Sequence, residues 1–263
     1  MLKIFAYPMH AGAVRRLAMA GALSTSLALS AVTTLSSPVA ASGGGDGCNP
    51  AISQPWRNVN DYPHTRVTGW YTGELSGNET GGSEVSLLNY SPWVFQVPGL
   101  TDASVSAAWT MIDVELFPSE TFAQDGWLEY PNGNRHNFWE YGVEGDYTFD
   151  DNLSPSPINN YTEYKTLYNP STGNITFDIG SSQTVVFGGF TPNEAQQGTE
   201  TKDLHDQLAG GYDNPEIFGS AEAYWDGGWH PMNGTLHNAY SSAYGVGKVD
   251  NQLMTTWDRA CEY

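Results

Sequence analysis

Past its N-terminal stretch, this chain has no window with the 3.6-residue apolar period of an amphipathic helix, whereas short segments that alternate every second residue recur along its length. Val105, Ala107, Trp109 and Met111 alternate with Ser104, Ser106, Ala108 and Thr110, and Asn174 to Ile179 behaves likewise. Thr184-Val185-Val186-Phe187-Gly188-Gly189-Phe190 reads as a fully buried strand. Turn formers separate these segments: Gly81-Gly82, Pro131-Asn132-Gly133-Asn134, Ser154-Pro155-Ser156-Pro157 and Gly210-Gly211. Many short strands must cover one another's apolar faces, so the expected fold is all-β, an antiparallel two-sheet β-sandwich of jelly-roll type.

The N-terminus reads as a secretory signal peptide spanning 1–41. Lys3, Arg15 and Arg16 precede an apolar run from Leu17 to about Val32, and Ser37-Pro38-Val39-Ala40-Ala41 suits cleavage after Ala41. No later segment approaches the twenty apolar residues of a membrane span. Residues 42–92 are expected to be an N-terminal leader with one or two opening strands, a propeptide being the alternative, and 93–263 the sandwich domain. A secreted (extracellular) protein should form a disulfide between its two cysteines, Cys48 and Cys261, which would pin the ends of the mature chain together.

With 29 acidic against 10 basic residues the formal charge is −19, and three of the basic residues lie in the signal peptide. Nucleic acid and anionic membranes are therefore excluded as expected partners. Such a balance suits an acidic working environment, where few cations means little positive self-repulsion, or solubility in a saline one.

The residues with chemical potential are isolated polar groups on apolar rows. In Thr121-Phe122-Ala123-Gln124-Asp125-Gly126-Trp127-Leu128-Glu129-Tyr130, alternation places the uncharged amide of Gln124 beside Phe122, Leu128 and Tyr130. A buried amide is either a structural bridge or a group that meets a ligand. Trp109 and Asp113, four residues apart in one strand, share a side, and Asp113 there must be paired, hydrogen-bonded or protonated. Phe138 and Glu140 repeat the arrangement, so three strands each project one polar group, as the walls of a cleft would. Gly-x-Ser-x-Gly and His-Glu-x-x-His are absent. His64, His136, His205, His230 and His237 match no compact metal spacing, and Asp146, Asp150 and Asp151 lack the Gly and Glu of an EF-hand loop, so no metal is expected.

The segments Ala108-Trp109-Thr110-Met111-Ile112-Asp113, Gln124-Asp125-Gly126-Trp127, Phe138-Trp139-Glu140-Tyr141 and Gly198-Thr199-Glu200-Thr201, with His205-Asp206-Gln207-Leu208-Ala209-Gly210 after them, resemble in order and spacing the glutamic peptidases of the eqolisin type and the related neprosin-like secreted proteins. The tail from Tyr224-Trp225-Asp226-Gly227-Gly228-Trp229 to Trp257-Asp258-Arg259 looks like the neprosin-like one. Gln124, where neprosin-like members carry Glu, favours the eqolisin dyad. The resemblance implies a secreted, acid-acting endopeptidase (a hydrolase) with Gln124 and Glu200 as catalytic dyad, working as a monomer on a polypeptide substrate and without a cofactor. Trp109, Asp113, Trp127 and Glu140 would line the substrate cleft. Thr199 and Thr201 give Glu200 a polar surround, and Glu194 and Glu222 are the other candidates for its role. In the mechanism so implied, the carboxylate takes a proton from the attacking water while the Gln124 amide donates to the oxyanion.

Two further readings stay open beside this one. The chain could be a noncatalytic member of the family, or a carbohydrate-binding or glycoside-hydrolysing jelly roll in which Glu129, Glu140 and Glu163 would compete for the carboxyl roles.

Overall fold

The computed structural model of the chain describes residues 66–71, 81–89, 92, 94, 105–114, 121–130, 133–144, 146–201, 208–211, 214–232, 235–238 and 244–258. The signal peptide, Cys48 and Cys261 lie outside these residues. In chain order the strands are β1 (Arg66–Tyr71), β2 (Gly82–Leu88), β3 (Ser106–Asp113), β4 (Phe122–Glu129), β5 (Arg135–Val143), β6 (Asp146–Leu153), β7 (Tyr161–Asn169) and β8 (Asn174–Ile179). They continue with β9 (Ser182–Phe187), β10 (Glu194–Thr201), β11 (Gly210–Gly211), β12 (Asn214–Trp225), β13 (Gly228–Pro231), β14 (Thr235–Asn238), β15 (Tyr244–Lys248) and β16 (Met254–Asp258). No helix occurs among the described residues.

Two antiparallel sheets pack as a sandwich that does not close into a barrel. One runs β14-β1-β10-β3-β4-β5-β6; the other runs β15-β16-β12-β2-β7-β8-β9, with β11 and β13 paired to β12. β3 lies against β2 and β7, and β4 against β7 and β8. The segment assigned by sequence to a leader thus supplies β1, between β10 and β14, and β2, between β12 and β7 in the second sheet.

An apolar interior fills the space between the sheets: Ala108, Trp127 and Ala195 from the first meet Val85, Leu87, Tyr164, Phe218 and Ala223 from the second. Trp139 stacks on Phe177 with ring centroids 5.3 Å apart. Several polar groups in this interior are hydrogen-bonded to one another, as buried polar atoms require. The Ser83 and Thr110 hydroxyls meet at 2.6 Å, Thr166 Oγ1 donates to Asp125 Oδ1 at 3.0 Å, and Tyr164 donates its hydroxyl to Asn137 Oδ1 at 2.8 Å.

β3, β4 and β10 are buried on both faces along their whole length. That is why Gly126 is a glycine: a Cβ there would lie 2.1 Å from the Ala108 carbonyl oxygen, so β3 and β4 approach each other only without it. The expectation of a buried strand from Thr184 to Phe190 is corrected. The strand is β9, which ends at Phe187 and forms the edge of its sheet, with Val185 and Phe187 53% and 68% exposed. Val186 and, beyond the strand, Phe190 turn inward against the Trp139 and Phe177 cluster. An unbroken β-branched run was legible, but its position at an edge, with no strand beyond it, was not.

Candidate active site

Antiparallel register sets which side chains share the face of the first sheet turned away from the second. Directly opposite residues project to the same side. Gln196 on β10 stands opposite Met111 on β3, Met111 opposite Gln124 on β4, and Gln124 opposite Glu140 on β5, forming one row across four strands. The neighbouring row holds Glu194, Asp113, Phe122 and Gly142. On the other side of the Gln124 row come Gly198, Trp109, Gly126 and Phe138, then Glu200, Ala107, Leu128 and His136. Val105, Ala107, Trp109, Met111, Phe122, Leu128 and Phe138 form the apolar floor around the polar groups.

Two amide–carboxyl pairs flank Met111. Gln124 Nε2 donates to Glu140 Oε2 at 2.7 Å, and Gln196 Nε2 donates to Asp113 Oδ2 at 2.6 Å. Gln124 is fully buried and its Oε1 has no hydrogen-bond partner, an unmet acceptor of the kind a ligand can satisfy. Burial pushes the Glu140 carboxyl up to about 8, opposed by the hydrogen bond from the Gln124 amide, so Glu140 is protonated through the acidic and neutral range. Burial raises Asp113 well above the ordinary carboxylate range, helped by the charge of neighbouring Glu194 and opposed by the Gln196 hydrogen bond.

Of the residues singled out from sequence, Gln124, Trp109, Asp113, Glu140 and Glu200 all lie on this face. Trp127 does not: it points between the sheets, fully buried, with the Arg135 guanidinium 4.1 Å over its ring. Glu200 is four residues along β10 from Gln196, an offset of about 13 Å along the strand. Glu194 is two residues from Gln196 in the other direction, about 7 Å. Glu222 belongs to the second sheet, on β12, where its Oε1 accepts from Gln252 Nε2 at 2.6 Å. All of these face residues are nearly closed to solvent: Gln124 and Glu200 are 0% exposed, and Glu140, Asp113 and Glu194 are 4%, 3% and 2% exposed. Among the described residues no cluster of His, Cys, Asp and Glu is arranged to hold a metal ion, and Asp146, Asp150 and Asp151 follow one another along β6 instead.

Gln196 was missed in the sequence. Its signal was the i, i+2 spacing with Glu194, masked by the polar run Glu194-Ala195-Gln196-Gln197 that gives β10 no apolar alternation. Asp125, next to Gln124 but facing the other sheet, was also passed over. It is fully buried, and burial raises it well above the usual carboxylate range despite hydrogen bonds from Thr166 and the Lys165 amide.

The sheet order and this face can be set against solved structures. Scytalido-glutamic peptidase bound to a peptide-based transition-state analogue aligns over 74% of this chain and 98% of its own, with a TM-score of 0.51 and 10% identity. The fold is that of the eqolisins. A second member of the eqolisin family of peptidases, SCP-B in complex with the tripeptide Ala-Ile-His, aligns over the same shares with a TM-score of 0.51 and 9% identity. An endo-β-galactosidase from Clostridium perfringens aligns over 52% of this chain and 38% of its own with a TM-score of 0.32, too loose a match to carry an argument. No protein-family model matches the chain, and no curated protein does. At these identities the likeness to eqolisins concerns the fold, and the chemistry must be argued from the residues themselves.

Proposed function

We propose that this chain is a secreted, acid-acting polypeptide hydrolase of the eqolisin type. In this reading Gln124 donates an amide N–H to the oxyanion, and a carboxyl of β10 acts as the base that activates water. The observation that carries it is the fully buried Gln124, held by Glu140 at 2.7 Å with its Oε1 unpartnered, on a fold whose solved relatives bind a peptide transition-state analogue and a tripeptide. A carboxyl that keeps its proton up to about pH 8 fixes the Gln124 amide without adding a negative charge where the oxyanion develops. Sequence spacing proposes Glu200 as the base; Glu194 is the other acidic residue of β10 on this face. Attack on a peptide carbonyl then needs neither metal nor covalent intermediate, and an ionised base gives activity an acidic lower limit.

The test is hydrolysis of an unfolded protein substrate from pH 2 to 7 by the purified protein and its Gln124→Ala variant. Loss of an oxyanion donor costs about 3–4 kcal/mol, so turnover should fall a hundredfold or more. Equal turnover by the two proteins removes Gln124 from the mechanism.

A second reading, peptide binding without hydrolysis, is favoured by one specific observation: the residue across Met111 from Gln124 is an amide, Gln196, and not a carboxyl. Under it the protein binds the same peptides, with micromolar or tighter affinity in a calorimetric titration, and leaves them intact.

A further inference from the structure

The second sheet has an outer face of its own, on the opposite side of the sandwich from the Gln124 row. Val85, Leu87, Tyr164, Phe218 and Ala223 point between the sheets, so the residues that alternate with them point outward. Register then lines up Trp229, Tyr224, Gly82, Leu167, Thr176 and Val185 across β13, β12, β2, β7, β8 and β9. Phe187 follows Val185 on the same side of β9. Gly82 is the one position of this line without a side chain, and the Trp229 ring lies over it. A Cβ on Gly82 would stand 3.1 Å from Trp229 Cη2 and 2.9 Å from Leu167 Cδ2. Tyr224 meets the Trp229 ring edge to face with centroids 5.4 Å apart. At the other end Phe187 is 68% exposed, and its ring rests beside Gly173, where a Cβ would stand 3.0 Å from Cε2. A polar line runs alongside, one step down the strands: Glu222, Glu84, Lys165, Asp178 and Gln183. Lys165 Nζ contacts Glu84 Oε2 at 2.6 Å, and Gln183 Nε2 donates to Asp178 Oδ1 at 2.7 Å. Each of these bonds engages one oxygen of a carboxylate that can accept about four hydrogen bonds, so the line retains acceptor capacity. Asn169 and Asn174 stand in the row of Phe187, on the other side of the apolar line.

The shape and charge of this surface select among partners. Five steps between strands make the apolar line about 24 Å long, and the two-residue repeat along each strand makes it about 7 Å wide. Its area, roughly 170 Å², is far below the about 800 Å² that each partner gives to a stable protein complex. A peptide that extends a sheet pairs with an edge strand and not with a face. Three carboxylates against one ammonium in the polar line, on a chain of formal charge −19, repel anionic polymers and anionic lipid surfaces. A neutral sugar chain meets both conditions. The faces of its pyranose rings are apolar C–H surfaces that stack on aromatic rings, and the hydroxyls on its rim donate to carboxylates and amides. We propose that the outer face of the second sheet binds a neutral, linear polysaccharide of equatorially linked pyranoses, laid across the strands from Trp229 to Phe187. The line accommodates roughly five linked rings. This assignment does not depend on the hydrolytic reading, and it puts glycan binding on a surface remote from Gln124.

The test is native electrophoresis of the purified protein through gels containing hydroxyethyl cellulose, glucomannan or glycol chitin, with carboxymethyl cellulose as the anionic comparison. At least one of the neutral polymers should retard the parent, and carboxymethyl cellulose should retard it less than that polymer does. Phe187→Ala, at an exposed edge position that folding does not require, should lose most of the retardation, and so should Trp229→Ala. In a calorimetric titration with the hexasaccharide of the retarding polymer, Phe187→Ala should bind about tenfold more weakly than the parent. No retardation by any neutral polymer, or equal retardation of the parent and both variants, overturns the glycan site. Dimerisation in sedimentation velocity that Phe187→Ala abolishes, without retardation by any glycan, overturns it as well and gives the face to a second copy of the chain. Hydrolysis of an unfolded protein by the parent bears on the Gln124 site alone, so the two readings fail separately.

Discussion

Replacing Glu140 by Gln should flatten the pH dependence of stability, by an amount that follows from where that carboxyl sits. Glu140 is buried opposite Gln124, and its titration moves from 4.5 to about 8. The folded protein therefore holds a proton that the unfolded chain releases once the pH passes about 4.5. Below that point both states are protonated, and the full stability is present. As pH rises toward 8, unfolding releases one proton, and stability falls by about 1.4 kcal/mol per pH unit, or about 5 kcal/mol across the window. Glu140→Gln keeps an acceptor for the Gln124 amide and removes the proton, so its stability should lack this component. Asp113 and Asp125 are raised as well and steepen the parent curve, but neither depends on Glu140, so subtracting the two curves isolates it. Urea unfolding from pH 5 to 7 should show the difference between parent and variant growing by about 3 kcal/mol in the variant's favour. Parallel curves would refute the claim that Glu140 is buried as a neutral acid.

Gly126→Ala forces a Cβ against the Ala108 carbonyl and the Trp109 Cα at 2.1 and 2.8 Å; it should cost at least about 3 kcal/mol, and a thermal midpoint within a few degrees of the parent would contradict that register. Trp127→Ala empties the core between the sheets and removes the ring beneath Arg135, a loss of about 3–5 kcal/mol by urea unfolding, whereas a surface-like effect would put Trp127 elsewhere. Val185→Lys on the exposed β9 edge should change stability by no more than about 0.5 kcal/mol while lowering self-association at high concentration, measured by light scattering. Removing the chain through Leu88 deletes β1 and β2 from the two sheets, so the remainder should fail to give a cooperative unfolding transition.

The fold class was legible because alternation survives where one face meets the core, as in β8, whose Ile175, Phe177 and Ile179 point inward. It was also legible where an apolar row carries one polar exception, which is how Gln124, Asp113 and Glu140 stood out. β10 offered neither signal. Glu194-Ala195-Gln196-Gln197-Gly198-Thr199-Glu200-Thr201 has almost no apolar side chain, yet it is a buried strand because β1 and β3 hydrogen-bond to both of its edges. Propensity describes what a segment would do alone, and tertiary pairing overrode it here. Trp127 shows the converse limit: it lies three residues from Gln124, and an odd spacing in a strand places it on the opposite face.

The choice among the carboxyls of β10 depends on register, a property of strand pairs that no single segment encodes. Sliding β10 by two residues against β3 would keep every side chain on its present face while bringing Glu194 or Gly198, instead of Gln196, opposite Met111. Spacing along the chain alone therefore does not give the row a residue joins: Glu200 stands about 13 Å along the strand from the Gln124 row. The observed register instead sets Glu194 against Asp113 and leaves Gln196 to bond that aspartate.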